Sequence, residues 1–203
     1  EVMRGIYDEM AAGVETVNQL INEGIDCDVQ EKGYIKVAHK ANKMSELVSL
    51  AKLQKQMFGY DVQVLSKDDL HQNFMADQNA YGAIRYQDGF GLNPLKLAWG
   101  YQKLARQAGA KVHTSTPINF IGEKSTSSVL LAAPKGKIRA KKVVIATNGY
   151  TPRGFHPLVT NRTLPVLSQI IVTEPLTVEQ LAACNFLTSN VVMDTRALKY
   201  YYR

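Results

Sequence analysis

The apolar residues of this chain come in short runs broken by charge, glycine and proline. The strongest run, Val143-Val144-Ile145-Ala146, is strand-sized, with Lys141 and Lys142 before it and Thr147-Asn148-Gly149 after it. A short apolar run bounded by charge and turn residues reads as a buried, parallel strand. No run approaches the roughly 18 residues of a membrane helix, so no membrane span is expected. Elsewhere half-buried strands alternate with long amphipathic helices, which predicts an α/β (α+β) fold with two lobes.

Ile6, Met10, Val14, Val17 and Ile21 share one helical stripe ahead of Gly24, which predicts an opening helix. Gly33 to Ala38 alternates as a strand. Asn42 to Phe58 has helical periodicity, with Gly59 as its stop. Val62 to Leu65 is a short strand, and Ser66 with Asp69 predicts a capped helix. Ala80 to Tyr86 is a strand closed by a turn at Gln87 to Gly91. Asn93-Pro94 is a helix start, Asn as cap and Pro in the first turn, and Trp99 and Tyr101 are expected in its core-facing set. Further strands are predicted over Lys111 to Thr114, Pro117 to Ile121, Ser127 to Ala132, Leu167 to Thr173 and Val191 to Asp194. Val178 to Cys184 reads as a short helix.

Of the 203 residues, 45% are hydrophobic and 21% charged, a globular composition. The formal net charge is +6, with one dense stretch at Lys135, Lys137, Arg139, Lys141 and Lys142. No aromatic residues interleave those cations to stack bases, so the stretch reads as a charged hairpin edge and no nucleic-acid partner is expected. Cys27 and Cys184 are too few for a disulfide scaffold. With no secretion signal at the start, two free thiols and a cytoplasmic location are expected. The four histidines show no metal-ligand spacing, so no metal is expected. The first residue is Glu1, and the chain closes on the strand-forming Tyr200-Tyr201-Tyr202-Arg203. Both features predict an excerpt of a longer protein.

Several segments, taken in order, resemble the FAD-dependent D-amino-acid-oxidase (DAO) superfamily, and within it the gamma-glutamylputrescine oxidase branch. Asp28 to Val37 is similar to the first strand of its substrate domain. Gly82-Ala83, Asp88-Gly89 and Leu92-Asn93-Pro94-Leu95 resemble a strand, turn and helix start. Gly109-Ala110-Lys111-Val112 with Thr116-Pro117-Ile118, and Lys142 to Tyr150, resemble two further runs. Leu164-Pro165-Val166 with Gln169 to Pro175, and Asp194 with Tyr201-Tyr202-Arg203, complete the set.

The resemblance implies a partial FAD-binding domain of the glutathione-reductase-like type, from residues 1–32 and 90–152. It implies a substrate domain with a mixed or antiparallel sheet, from residues 33–89 and 153–203. The glycine-rich GxGxxG unit that grips pyrophosphate is not in these 203 residues, and Gly89-Phe90-Gly91 is a turn instead. The implied function is that of the central portion of an FAD-dependent oxidoreductase that oxidises a small-molecule amine or amino acid by hydride transfer to flavin. The alternatives are an inactive fragment and a non-enzymatic binding module. FAD is the implied cofactor of the complete protein, and the fragment alone is expected to self-associate.

By the same resemblance, Ile118 offers its backbone to adenine, against the simpler reading of a strand start. Ala146, Thr147, Asn148 and Gly149 flank the dinucleotide at a strand end, against a plain turn. Tyr200 and Tyr202, on one face by strand alternation, wall the substrate cavity, against packing. No catalytic residue is assigned, because the flavin carries the redox chemistry.

Overall fold

A computed structural model describes residues 2–122 and 128–203. The chain divides into two compact units, residues 1–110 with 174–203, and residues 111–173.

The first unit is built on a five-stranded mixed sheet in the order β2-β3-β1-β7-β8. Its strands are β1 (Lys32–Val37), β2 (Gln63–Leu65), β3 (Ala83–Phe90), β7 (Val191–Asp194) and β8 (Tyr201–Tyr202). The central β1 pairs antiparallel with β3 and parallel with β7. Among the described residues, this unit also holds five α-helices: α1 (Val2–Asn22), α2 (Ala41–Phe58), α3 (Lys67–Asn73), α4 (Pro94–Gln107) and α5 (Val178–Cys184).

Strand alternation sorts the core onto two faces. On one face Ile35, Val37, Ala83 and Val192 pack with Leu65, Leu70 and Met75. On the other, Ile84 and Tyr86 meet Leu47 and Ala51 of α2, with Tyr34, Met44 and Tyr60 alongside. The Tyr34 and Tyr86 rings stack at 4.4 Å between centroids. Burial in this cluster pushes both phenols above their ordinary range.

Local chemistry sets the helix ends. The Ser66 hydroxyl accepts from Asp69 N–H while the Asp69 carboxylate accepts from Ser66 N–H, a closed capping box. Asn93 Oδ1 accepts from the N–H groups of Leu95 and Lys96, each at 3.2 Å. Residues 27–30 are stitched to the start of α4. Asn93 N donates to Cys27 O at 2.8 Å and Gln30 N to Gly91 O at 2.9 Å, with an Asp28–Lys96 ion pair beside them.

One polar group crosses the sheet. Asn190, at 0% exposure, accepts from Arg85 Nε at 2.8 Å. Its amide donates to Glu31 O at 3.3 Å and Lys32 O at 3.2 Å. Arg85 Nη2 also donates to Lys32 O, at 2.8 Å. The guanidinium lies so close to Gly33 that a Cβ there would sit 2.7 Å from Arg85 Nη2, and Gly33 has φ +116°. Only glycine fits that position.

The second unit holds a three-stranded antiparallel meander, β4 (Phe120–Ile121), β5 (Val129–Ala133) and β6 (Gly136–Ala140). A turn at Pro134-Lys135 joins β5 to β6, with Lys137 and Arg139 exposed on the outer strand β6. Ser127, the expected first residue of β5, lies outside the described residues.

Several expected elements differ. Val143–Ala146 forms no ladder and is not buried, with Val144 87% exposed. Leu167–Thr173 and Lys111–Thr114 also form no ladder. An apolar run becomes a strand only where another strand offers its N–H and C=O groups, and the described residues of this unit supply no such partner. The expected turn at Gln87–Gly91 is instead the far end of β3, carried to Phe90 by pairing with Lys32 across an irregularity in register. Trp99 is 61% exposed and not core, and α1 and α4 bury no residue fully.

Replacing Gly33 with Ala is expected to lower unfolding free energy by about 1–3 kcal/mol, from the strained φ and the displaced guanidinium. Asn190→Ala should cost a similar ~1–3 kcal/mol by leaving Arg85 and the Glu31 and Lys32 carbonyls short of partners. Urea unfolding of the full-length protein measures both.

Candidate functional site

The segment Ala146-Thr147-Asn148-Gly149 follows the exposed apolar run and enters a single 3-10 turn at Asn148–Tyr150. Asn148 takes φ 46°, a left-handed conformation that Asn tolerates better than most residues. The turn is held by hydroxyls. Thr147 Oγ1 and Thr151 Oγ1 lie 2.6 Å apart, and Thr151 Oγ1 donates to Asn148 O at 2.6 Å.

Gly149 lines a recess of about 360 Å³ within this unit. Thr151, Arg153, Thr160 and Asn161 supply polar groups around it, and Val159 and Leu164 supply apolar surface. Hydroxyls and one guanidinium there can hydrogen-bond or ion-pair a small polar ligand. Ala146, Thr147 and Asn148 are exposed beside the recess without lining it. Ile118 is half-buried just before β4, where the N–H of its neighbour Asn119 donates to Ala132 O at 2.9 Å. Arg153, Thr160 and Asn161 were not singled out from sequence. Their one signal is a loop of turn and hydroxyl residues after the apolar run, and such loops are common.

Tyr200 and Tyr202 belong to the first unit, Tyr200 at the end of the β7–β8 turn and Tyr202 in β8, opposite Val192. Tyr202 packs on the core beside Phe186, with ring centroids 6.3 Å apart. Burial, reinforced by Asp77 and Asp194, pushes its phenol up to about 12. Tyr200 is 62% exposed, with the Arg196 guanidinium 5.1 Å above its ring. The two side chains therefore meet different surroundings: one is half in the core, the other in solvent under a cation.

Asp194 organises this turn. Its carboxylate is 2% exposed and accepts from Arg196 N at 3.0 Å, from Tyr200 N at 3.3 Å and from the Arg196 guanidinium. Burial pulls its pKa upward, but the backbone donors and the guanidinium outweigh burial and hold it below the ordinary carboxylate range.

Residues 4–203 match the family described as DAO, FAD dependent oxidoreductase. The chain belongs to that family, whose cofactor is FAD. It is 29% identical over 196 residues to the "Probable oxidoreductase OrdL" of Haemophilus influenzae, covering 94% of this chain and 44% of that protein. It is 27% identical over 204 residues to the gamma-glutamylputrescine oxidoreductase of Escherichia coli, covering 100% of this chain and 47% of that protein. The chain thus spans less than half the length of these curated relatives. Among solved structures, glycine oxidase from Geobacillus kaustophilus shares the fold at TM-score 0.63 and 19% identity, over 94% of this chain and 49% of its own. L-proline dehydrogenase from P. horikoshii does so at TM-score 0.68 and 15% identity, over 91% and 48%. Among the described residues no helix is long and apolar enough to cross a membrane.

Because the folded pKa of Asp194 is depressed, its contribution to stability is full above the unfolded value of about 4 and fades as pH falls through the lower folded value. Asp194→Asn should lower stability at neutral pH and shallow the loss below about pH 4. Thermal unfolding across an acid pH series reads both effects. Parallel curves for the two proteins would refute the assignment.

Proposed function

We propose that this chain is the central portion of an FAD-dependent oxidoreductase that oxidises an amine or amino acid. The observation that carries the reading is the family match over residues 4–203, on a fold shared with glycine oxidase and L-proline dehydrogenase. The names of those two proteins and of the gamma-glutamylputrescine oxidoreductase support the substrate class. When bound, FAD supplies the two-electron acceptor. A hydride would pass to it from the carbon that bears the substrate nitrogen, and the residues of this chain would hold cofactor and substrate for that transfer.

The residues of this chain bind and orient. Ile118 presents backbone to adenine, and Ala146 to Gly149 flank the dinucleotide. The polar recess beside Gly149 supports that role by offering hydroxyls and one guanidinium next to the segment. Tyr200 and Tyr202 contribute the substrate wall. The exposed Tyr200 is the better placed of the two to meet a small molecule, because Tyr202 is partly spent on core packing.

Residues 1–32 and 90–152 serve the flavin side and residues 33–89 and 153–203 the substrate side. The compact units cross those boundaries, so the lobes are assigned by role and not by compactness. The free thiols of Cys27 and Cys184 suit a reducing, cytoplasmic setting.

In the full-length protein, Asn148→Trp should reduce flavin content, read as visible absorbance per polypeptide; unchanged content would remove Ala146 to Gly149 from the site. The 203-residue polypeptide on its own should bind FAD weakly or not at all, because the pyrophosphate grip of the glycine-rich unit is not among its residues. It should also self-associate through Val144, Ile170, Ile171 and the exposed stripe of α1. Titration calorimetry with FAD and light scattering test this pair, and one-to-one tight binding by a clean monomer would overturn it.

A further inference from the structure

A second recess, of about 550 Å³, lies wholly within the first unit. His39 and Lys40 reach it from the end of β1 and Lys67 from the start of α3. Asn79 and Tyr81 come from the loop before β3, and Arg196 from the β7–β8 turn. Four separate parts of the chain thus converge on one concavity, and no carboxylate lines it.

The charge there is only partly balanced by nearby carboxylates. Lys67 Nζ donates to a neutral acceptor, Gln78 O, at 3.0 Å. Lys40 has no carboxylate partner among the described residues. Arg196 is the compensated cation: it pairs with Asp194, feels the Asp77 carboxylate and lies over the Tyr200 ring. That grip uses one nitrogen of its side chain and fixes the plane of the rest, leaving donors in a set orientation. His39 is likewise oriented, its Nδ1 2.8 Å from Thr195 Oγ1.

Two ammonium groups without an ion pair among the described residues, one of them bonded to Gln78 O, and a fixed guanidinium in one concave site attract a compact polyanion, because concave walls focus their combined field. We propose that this recess is a binding site for a small multiply charged anion, a phosphoryl group or a dicarboxylate. Its occupant bridges the β7–β8 turn to α3 and the end of β1, and so ties down the turn that carries Tyr200. The proposal does not rest on the flavin reading. The recess is built from β1, α3, the loop before β3 and the β7–β8 turn, and none of its residues belongs to the proposed cofactor segment.

The test is titration calorimetry on the full-length, FAD-loaded protein at constant ionic strength, with inorganic phosphate in one arm and glutarate in the other. Saturable one-to-one binding of either anion is expected, and the arm that binds names the chemistry. Lys40→Gln and Lys67→Gln should each weaken it by about tenfold, the loss of one charge-assisted contact. Lys137→Gln, on the basic hairpin, should leave it unchanged. Flavin absorbance should stay constant in all three variants, which separates failure here from failure of the cofactor assignment. If Lys67→Gln folds poorly because its bond to Gln78 is lost, Lys40→Gln decides alone. Absence of saturable binding in both arms, or an equal loss in Lys137→Gln, would overturn the proposal.

Discussion

The Arg85–Asn190 bond is the interaction on which the first unit turns. It joins β3 to the residue just ahead of β7, and both side chains close on the carbonyls of residues 31 and 32 at the start of β1. Those groups lie where the antiparallel and parallel ladders of the sheet meet. A buried amide and a guanidinium left unpaired there would each be costly, so the network fixes which strands are neighbours as well as stabilising them. Gly33 is the condition for it, since any side chain would displace the guanidinium. Once β7 is placed beside β1, Asp194 falls at the strand end, where it gathers the turn that bears Arg196 and Tyr200.

The second unit is organised differently. Its meander is closed by local pairing between neighbours in sequence, the least demanding way to satisfy backbone groups. After Ala140 the chain carries apolar segments that find no ladder, and Val144, Ile170 and Ile171 face solvent. Apolar surface of this kind is a demand for a covering partner. The OrdL and gamma-glutamylputrescine oxidoreductase relatives are each more than twice as long as this chain. The membership and the unsatisfied surface are independent observations, one from residue identity and one from burial.

What the residues determined by themselves was local. The Ser66–Asp69 capping box, the Asn93-Pro94 helix start, the Gly59 stop, the helix Val178–Cys184 and the β5–β6 hairpin were all legible, because each depends on groups a few residues apart. Family membership was legible too, from six short segments in a fixed order. Tertiary structure alone decided the rest. Val143–Ala146 has a strand's composition and no ladder; Gln87–Gly91 has a turn's composition and belongs mostly to β3; Trp99 has a core residue's size and stands in solvent. In each case the outcome rests on whether distant backbone or apolar surface arrives to meet it. The cationic recess had no signature at all, since His39, Lys67 and Arg196 are far apart in sequence and only the β1–β7 pairing and the seat of α3 bring them together. Short-range hydrogen bonds are written in neighbouring residues, whereas burial and long-range pairing are properties of the whole folded chain.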